Sequence, residues 1–174
     1  MCQVLSRLNV NISGFSLENQ ISRPNLFDLL QLRKKINDNR GDLTNKSTCF
    51  EVINETKPDI LIHMAAQAQV KQSYINPVET FNTNVLGTIN ILEAARKSNS
   101  IKAILVITSD KCYKNNETKH AYKEDDKLGG NDPYSSSKAC AEHISRSFYK
   151  SFFMENNIGL ATARSGNVIG GGDW

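Results

Sequence analysis

Residues 131–147 read Asn-Asp-Pro-Tyr-Ser-Ser-Ser-Lys-Ala-Cys-Ala-Glu-His-Ile-Ser-Arg-Ser. Asp132 is a good helix N-cap, Pro133 suits the first helical position, and nothing after Tyr134 breaks a helix. Tyr134 and Lys138 are therefore four apart on one helical face. A fixed ammonium favours the phenolate beside it. A phenol made easier to ionise can take a proton from a hydroxyl while hydride leaves the adjacent carbon. Alone the pair is a weak signal, because a solvated lysine over a half-buried tyrosine has the same spacing. The flanks strengthen it: an apolar run ending in Ser109-Asp110-Lys111 lies upstream, and a Gly-rich turn lies downstream.

The elements that must position these residues follow in chain order. Residues 1–8 read as the end of a helix, and 10–17 alternate apolar with small or polar residues, as a strand does. Pro24 opens a helical stretch over 25–35 with Leu26, Leu29, Leu30 and Leu32 on one side. Residues 36–40 form a short strand, and Thr44 caps a helix to about Thr56. The apolar run 59–64 fits a strand buried on both faces of a parallel sheet. Ala65-Ala66-Gln67 ends it with small residues that let a ligand near the backbone or let a helix pack closely.

Pro77 opens a long helix over 77–98, with Val78, Phe81, Val85, Ile89 and Leu92 at helical spacing. Asn84 shares that stripe and is either a satisfied core group or a ligand contact, the second being preferred. Residues 101–108 are the clearest buried strand, with Ser109-Asp110-Lys111 at the carboxyl end where open α/β sheets bind ligands. Segment 112–130 is polar, without periodicity and long enough for a binding loop or lid. The helix holding Tyr134 follows over 133–156, then a strand over 158–163. The alternation predicts an α/β fold with a doubly wound parallel sheet and right-handed crossovers.

A chain of 174 residues supports one domain with a real core. The net charge of +3 is small, and its basic residues form no stripe with interleaved aromatics, so nucleic acid is not expected as a partner. No apolar run approaches a membrane span, and the first residues lack the charged start and apolar core of a secretory signal. Cys2, Cys49, Cys112 and Cys140 are far apart and away from the three histidines. Reduced thiols in the cytoplasm are the expectation, and no metal site is.

A dinucleotide-binding domain of Rossmann type opens with a strand, a Gly-rich turn and a helix. No such glycine run precedes the first strand here. The chain is therefore expected to be a partial NAD-binding domain over 1–174, without the first strand, the Gly-rich loop or a substrate domain. NAD affinity is expected to suffer, because the loop's N–H groups hold the pyrophosphate. The strands at 10–17 and 36–40 lose the central strand that would join them to the rest.

Several short runs carry a family resemblance: Asn25-Leu26-Phe27, Gly41-Asp42-Leu43, Ala65-Ala66-Gln67, residues 76–81, Asn84-Val85 with Gly87-Thr88, residues 108–113, 132–138 and 166–174. With them the chain resembles the extended short-chain dehydrogenase/reductases, and within these the sugar-nucleotide 4,6-dehydratases of the CDP-glucose branch. The run 109–113 and the ending Gly-Asn-Val-Ile-Gly-Gly-Gly-Asp-Trp are specific to that branch; Tyr-x-x-x-Lys is general to the superfamily. The resemblance implies an NAD-dependent lyase acting on CDP-glucose in deoxy-sugar biosynthesis for surface polysaccharide.

It also implies roles. Asp42 and Leu43 would contact the adenine. Ala65, Ala66 and Gln67 would line the pyrophosphate and ribose path, and Asn84 and Val168 would lie near the nicotinamide. Ser109 and Tyr134 would share the sugar O4, Lys138 would bind the nicotinamide ribose, and Asn167 would touch substrate. Asp110 would serve the elimination as acid. Lys111 stands where many 4,6-dehydratases have a glutamate base, and the plain alternative for Asp110 and Lys111 is a surface ion pair. The helices 77–98 and 133–156 would form a homodimer interface. Two other readings stand beside this one: a sugar-nucleotide 4-epimerase, and a non-catalytic chain that pairs with a complete subunit.

Overall fold

The computed structural model describes residues 1–18 and 25–169. Pro24 and the glycine run at 170–172 lie outside them. The described residues fall into two compact units, 1–42 with 167–169 and 43–166.

In the first unit, helix α1 (Cys2–Leu5) runs into a 3₁₀ turn at Ser6–Leu8, and Asn9 ends it in the left-handed region at φ 56°. Strands β1 (Ser13–Ser16) and β2 (Asn37–Arg40) pair in parallel, Ser13 opposite Asn37 and Ser16 opposite Arg40. Between them, the single helix expected over 25–35 is interrupted. Asn25 caps α2 (Leu26–Leu29) by accepting from the Asp28 N–H at 2.9 Å. Gln31 then turns left-handed at φ 49°, and a 3₁₀ turn follows at Leu32–Lys34. Leu26 and Leu29 are exposed, so no buried face sustains a longer helix, and a short helix does not pay for its own nucleation.

The second unit holds β3 (Ile60–His63), β4 (Ala103–Ile107) and β5 (Gly159–Ala163), all parallel, in the order β3-β4-β5. The strands near 10–17 and 36–40, which lack the central strand that would join them to the rest, partner each other in a sheet of their own. β3 departs from expectation. Among the described residues only β4 pairs with it, and Ile60 is 62% exposed rather than buried.

Helix α3 (Lys46–Thr56) is capped by Asn45, which accepts from the Thr48 N–H at 3.3 Å; Thr44 is not the cap. Then come α4 (Val70–Ile75), α5 (Pro77–Phe81), a π turn at Asn82–Leu86 and α6 (Gly87–Lys97), the last three forming one continuous helix. Helix α7 (Pro133–Phe148) likewise continues into a π turn at Tyr149–Phe153. Helix α6 packs against both α3 and α7, and β4 buries Ile104 and Val106. The buried stripe of the 77–97 helix is Thr80, Asn84, Thr88 and Leu92; of the apolar set chosen from the sequence Leu92 is buried and Val85 and Ile89 are half-buried, but Val78 is 71% exposed and Phe81 is exposed. Hydrogen-bonded polar groups hold the inward face, so hydrophobic spacing points the wrong way at its start.

Two glycines permit close approaches. A Cβ at Gly87 would lie 2.7 Å from Leu43 Cδ2. A Cβ at Gly130 would lie 2.3 Å from both the Ser135 carbonyl carbon and the Ser136 nitrogen, so the approach to α7 lies flat against its first turn. We expect Gly130→Ala to cost at least about 1–3 kcal/mol, because backbone rather than a flexible side chain must move. Urea unfolding measures it, and a variant as stable as the native chain would refute the packing described.

Candidate active site

Asp132 caps α7 by accepting from the Ser135 N–H at 3.0 Å and from the Ser135 hydroxyl. From there Tyr134, Lys138 and Glu142 recur every four residues on the buried face of the helix. Lys138 Nζ donates to the Ile107 carbonyl at 3.3 Å, which ties the helix to the carboxyl end of β4. Burial pushes the Lys138 pKa down from its ordinary value. No hydrogen bond joins the Tyr134 hydroxyl to another side chain among the described residues.

Two residues beyond β4, Ser109 is buried and opens a 3₁₀ turn at Asp110–Cys112. Its Oγ accepts from the Lys111 N–H and donates to Asp110 Oδ1, both at 3.2 Å. The Asp110 N–H donates to the Ser165 carbonyl at 2.9 Å, so the turn is fastened to the segment after β5. Asp110 and Lys111 are exposed, and no ion pair joins them among the described residues. The site thus has a dry half, Ser109, Tyr134 and Lys138, and a wet half, Asp110 and Lys111.

Asn84 sits under the loop that follows β3. Its Oδ1 accepts from the Gln67 N–H at 2.8 Å, and its Nδ2 donates to the Gln67 carbonyl at 3.0 Å and to Ser137 Oγ at 2.8 Å. Ser137 Oγ in turn donates to the Tyr134 carbonyl at 2.7 Å. The amide is fully engaged, so Asn84 shapes the Ala65-Ala66-Gln67 loop and fits the satisfied core group of the two readings drawn from the sequence. Ala65 is exposed, and Ala66 and Gln67 are half-buried. Leu43 is buried against Gly87, and its carbonyl accepts from Asn90 Nδ2 at 3.1 Å. Within 43–166 the structure therefore gathers Ser109, Asp110, Lys111, Tyr134 and Lys138 at the end of β4. Asp42, Asn167 and Val168 belong to the other unit, where Asp42 and Val168 are exposed.

Three functional side chains escape a reading from sequence. Glu142 accepts from Thr108 Oγ1, from Thr162 Oγ1 at 3.0 Å and from Arg164 Nη2 at 2.9 Å. Burial pushes its carboxyl up, but these three donors outweigh burial and bring it below the ordinary value. The signal was present: a carboxylate two turns from Tyr134 on the same face, and Thr162 and Arg164 alternating along one side of a strand.

The third is His63, at the end of β3. Its Nε2 lies 3.1 Å from Thr88 Oγ1, whose proton goes to the Asn84 carbonyl at 2.6 Å. The ring therefore donates through Nε2 and is neutral. Burial first, and the charge of Lys138 second, lower its pKa from 6.5 to about 4. Above pH 6.5 neither folded nor unfolded chain protonates this ring. As pH falls from 6.5 towards 4, the unfolded chain gains a proton that the folded chain refuses, so stability drops by up to about 1.4 kcal/mol per pH unit. His63→Gln keeps a donor to Thr88 and is expected to flatten this acid limb in urea unfolding between pH 7 and 4.5. Equal slopes in the two proteins would show that His63 does not set it.

Parallel strands joined through helices, with a Tyr-x-x-x-Lys helix beside the carboxyl end of a central strand, define a Rossmann-type fold of the short-chain dehydrogenase/reductase class. Residues 2–168 match the family model for GDP-mannose 4,6 dehydratase, and the chain belongs to that family. It is 43% identical over 98% of its length to CDP-glucose 4,6-dehydratase of Salmonella typhimurium, of which it spans 48%. Among solved structures, dTDP-glucose 4,6-dehydratase from Bacillus anthracis in complex with NAD aligns over 99% of this chain and 51% of its own, with a TM-score of 0.79 and 24% identity. UDP-glucose 4-epimerase from Brucella ovis in complex with NAD aligns over 95% of this chain and 47% of its own, with a TM-score of 0.80 and 19% identity. At these identities the two structures speak to the fold. The chain spans about half the length of the relatives it matches.

Proposed function

We propose that this chain carries the catalytic strand end of a CDP-glucose 4,6-dehydratase, which converts CDP-glucose to CDP-4-keto-6-deoxyglucose and water. The observation that carries the reading is the meeting of Tyr134 and Lys138 with Ser109-Asp110-Lys111 at the end of β4. Identity of 43% to a CDP-glucose 4,6-dehydratase supports the substrate. The residues present fit NAD: a small-residue loop at Ala65 and Ala66 is held in place by Asn84, and Lys138 presents a buried ammonium that donates to the Ile107 carbonyl. Ala65, Ala66, Gln67 and Lys138 would hold the dinucleotide, Asn84 acting only by shaping that loop, and the family pattern alone would add Asp42, Leu43 and Val168. Bound NAD would supply a reversible acceptor for the hydride of C4.

The chain's own residues handle protons. Tyr134 takes the proton of the sugar O4, Ser109 hydrogen-bonds the same oxygen, and Lys138 would bind the nicotinamide ribose, as the family pattern suggests. The resulting 4-keto group acidifies C5–H. Water is lost when C5 gives up its proton and the C6–O bond breaks, Asp110 protonating the departing hydroxyl. With NAD bound, the hydride taken from C4 would be returned at C6 while C5 regains a proton. Lys111 stands where the family pattern has the base and would receive the C5 proton, and the same pattern would give Asn167 a substrate contact. Four free cysteines suit the cytoplasm, and no helix among the described residues is long and apolar enough to cross a membrane.

Incubation of the chain with CDP-glucose and excess NAD is expected to give a 4-keto-6-deoxy product by mass analysis. Tyr134→Phe should lower its rate by roughly 10²–10⁴-fold; an unaffected rate would overturn the assignment. The fold likeness to a UDP-glucose 4-epimerase makes epimerisation the second reading. Asp110→Asn decides between them, since elimination needs its proton and epimerisation does not.

We further propose a homodimer through helices 77–97 and 133–153. Tyr74, Ile75, Val78, Phe81, Leu86 and Phe152 are all exposed apolar side chains on or beside these helices, the kind of surface that a second copy covers. Sedimentation is expected to show a dimer that Val78→Glu converts to monomer. A monomeric native chain would refute the interface.

A further inference from the structure

Segment 113–132 lacks helix and strand, yet it is tied down at chosen points. Its base is closed by an antiparallel bridge between Tyr113 and Leu128, with the Lys114 N–H donating to the Lys127 carbonyl at 2.8 Å and the Gly129 N–H to the Cys112 carbonyl at 2.9 Å. Further out, Tyr113 stacks on Tyr122 with centroids 4.7 Å apart and planes 9° from parallel, and His120 meets Tyr122 edge-on. His120 Nε2 is hydrogen-bonded to Asp126 Oδ2 at 2.7 Å, so the outer loop is also closed on itself.

One side chain links this loop to the sheet. The Arg164 guanidinium lies 4.8 Å over the Tyr113 ring, and its Nη1 donates to the Glu124 carbonyl at 2.8 Å. Its Nη2 donates to Glu142, whose side chain is 4% exposed. Glu142 is fixed in turn by Thr108, the residue before Ser109, and by Thr162 on β5. The neighbouring Ser165 carbonyl holds the Asp110 N–H. Arg164 therefore sits between two things: a rigid carboxylate that orients its plane, and a loop that has few other bonds to the body of the unit.

We infer that Arg164, oriented by Glu142, is the positioning residue that holds loop 113–128 closed beside Asp110 and Lys111. The planar fork is essential to this task. One edge satisfies Glu142, another nitrogen reaches Glu124, and the flat face covers Tyr113. A lysine can answer the buried carboxylate but cannot do all three. The pair thus separates two functions in one side chain: charge for the core and shape for the loop. That the loop borders a substrate rests on the dehydratase reading; that Arg164 holds it does not.

Hydrogen exchange read peptide by peptide on the native chain, Arg164→Lys and Tyr113→Leu tests the inference. Arg164→Lys keeps a cation on Glu142, and Tyr113→Leu leaves the Glu142 pair untouched. In both, exchange across 113–128 is expected to rise roughly tenfold or more, the factor that loss of a cation–π contact or a charge-assisted hydrogen bond gives a local opening. Peptides covering β4, β5 and α7 should keep their native protection. Unchanged exchange over 113–128 in the folded variants would overturn the inference, as would a loss of protection spread evenly over the unit. If Arg164→Lys does not fold, Tyr113→Leu alone decides. The measurement needs no turnover, so a failed product assay would count against the dehydratase reading and leave this result standing.

Discussion

The site depends on one buried amide. Asn84 has one oxygen and two N–H groups to satisfy, and it spends them on both backbone groups of Gln67 and on the hydroxyl of Ser137. Through Gln67 it sets the loop after β3. Through Ser137 it reaches the carbonyl of Tyr134, hence the first turn of α7. A buried polar group left without partners costs more than a formed bond returns. The three segments therefore have one arrangement in which every group is satisfied, and that arrangement brings the tyrosine helix beside the end of β4. The apolar core around Ile104, Val106 and Leu92 supplies cohesion without such direction.

Charge is distributed with similar economy. Lys138 and Glu142 are four apart on the same buried face, a spacing at which they could pair with each other. Instead Lys138 reaches the Ile107 carbonyl and Glu142 is taken by Arg164. A carboxylate bound directly to Lys138 would hold its charge in place and offset it. By occupying Glu142, Arg164 leaves the lysine with a neutral partner, the Ile107 carbonyl. The neutral state of His63, whose pKa the charge of Lys138 helps to lower, avoids a second buried positive charge.

The strands near 60–63, 103–107 and 159–163 and the helix at 133–148 were legible in the sequence, because apolar runs, an Asp-Pro cap and unbroken helical spacing are local signals. So was the placing of Ser109, Asp110 and Lys111 at a strand end. What was hidden is non-local. Glu142 and Arg164 meet across 22 residues, and only the pairing of β4 with β5 makes Thr108 and Thr162 neighbours of the same carboxylate. The inward face of the 77–97 helix was misread for a related reason. Thr80, Asn84 and Thr88 earn burial through partners elsewhere in the chain, while Val78 and Phe81, the apolar choices, face outward. The break at Gln31 was missed because four leucines suggest a buried face that this unit does not build.

A π turn is a helix holding one residue more than its pitch requires. The 77–97 helix has one at Asn82–Leu86, around Asn84 itself, and the helix of Tyr134 has another at Tyr149–Phe153. Thr80, Asn84, Thr88 and Leu92 follow each other at intervals of four, a spacing that drifts around a regular helix and stays on one face only if the winding is loosened. Removing one residue from 82–86 would let the turn close to ordinary α pitch with its flanks nearly in register. Removing one from the regular turns of Gly87–Lys97 would instead swing everything before it by about 100°, carrying Thr80 and the exposed Val78 to new directions together. In this helix, then, a lost codon is tolerable at one place and rotates an entire surface against the core elsewhere.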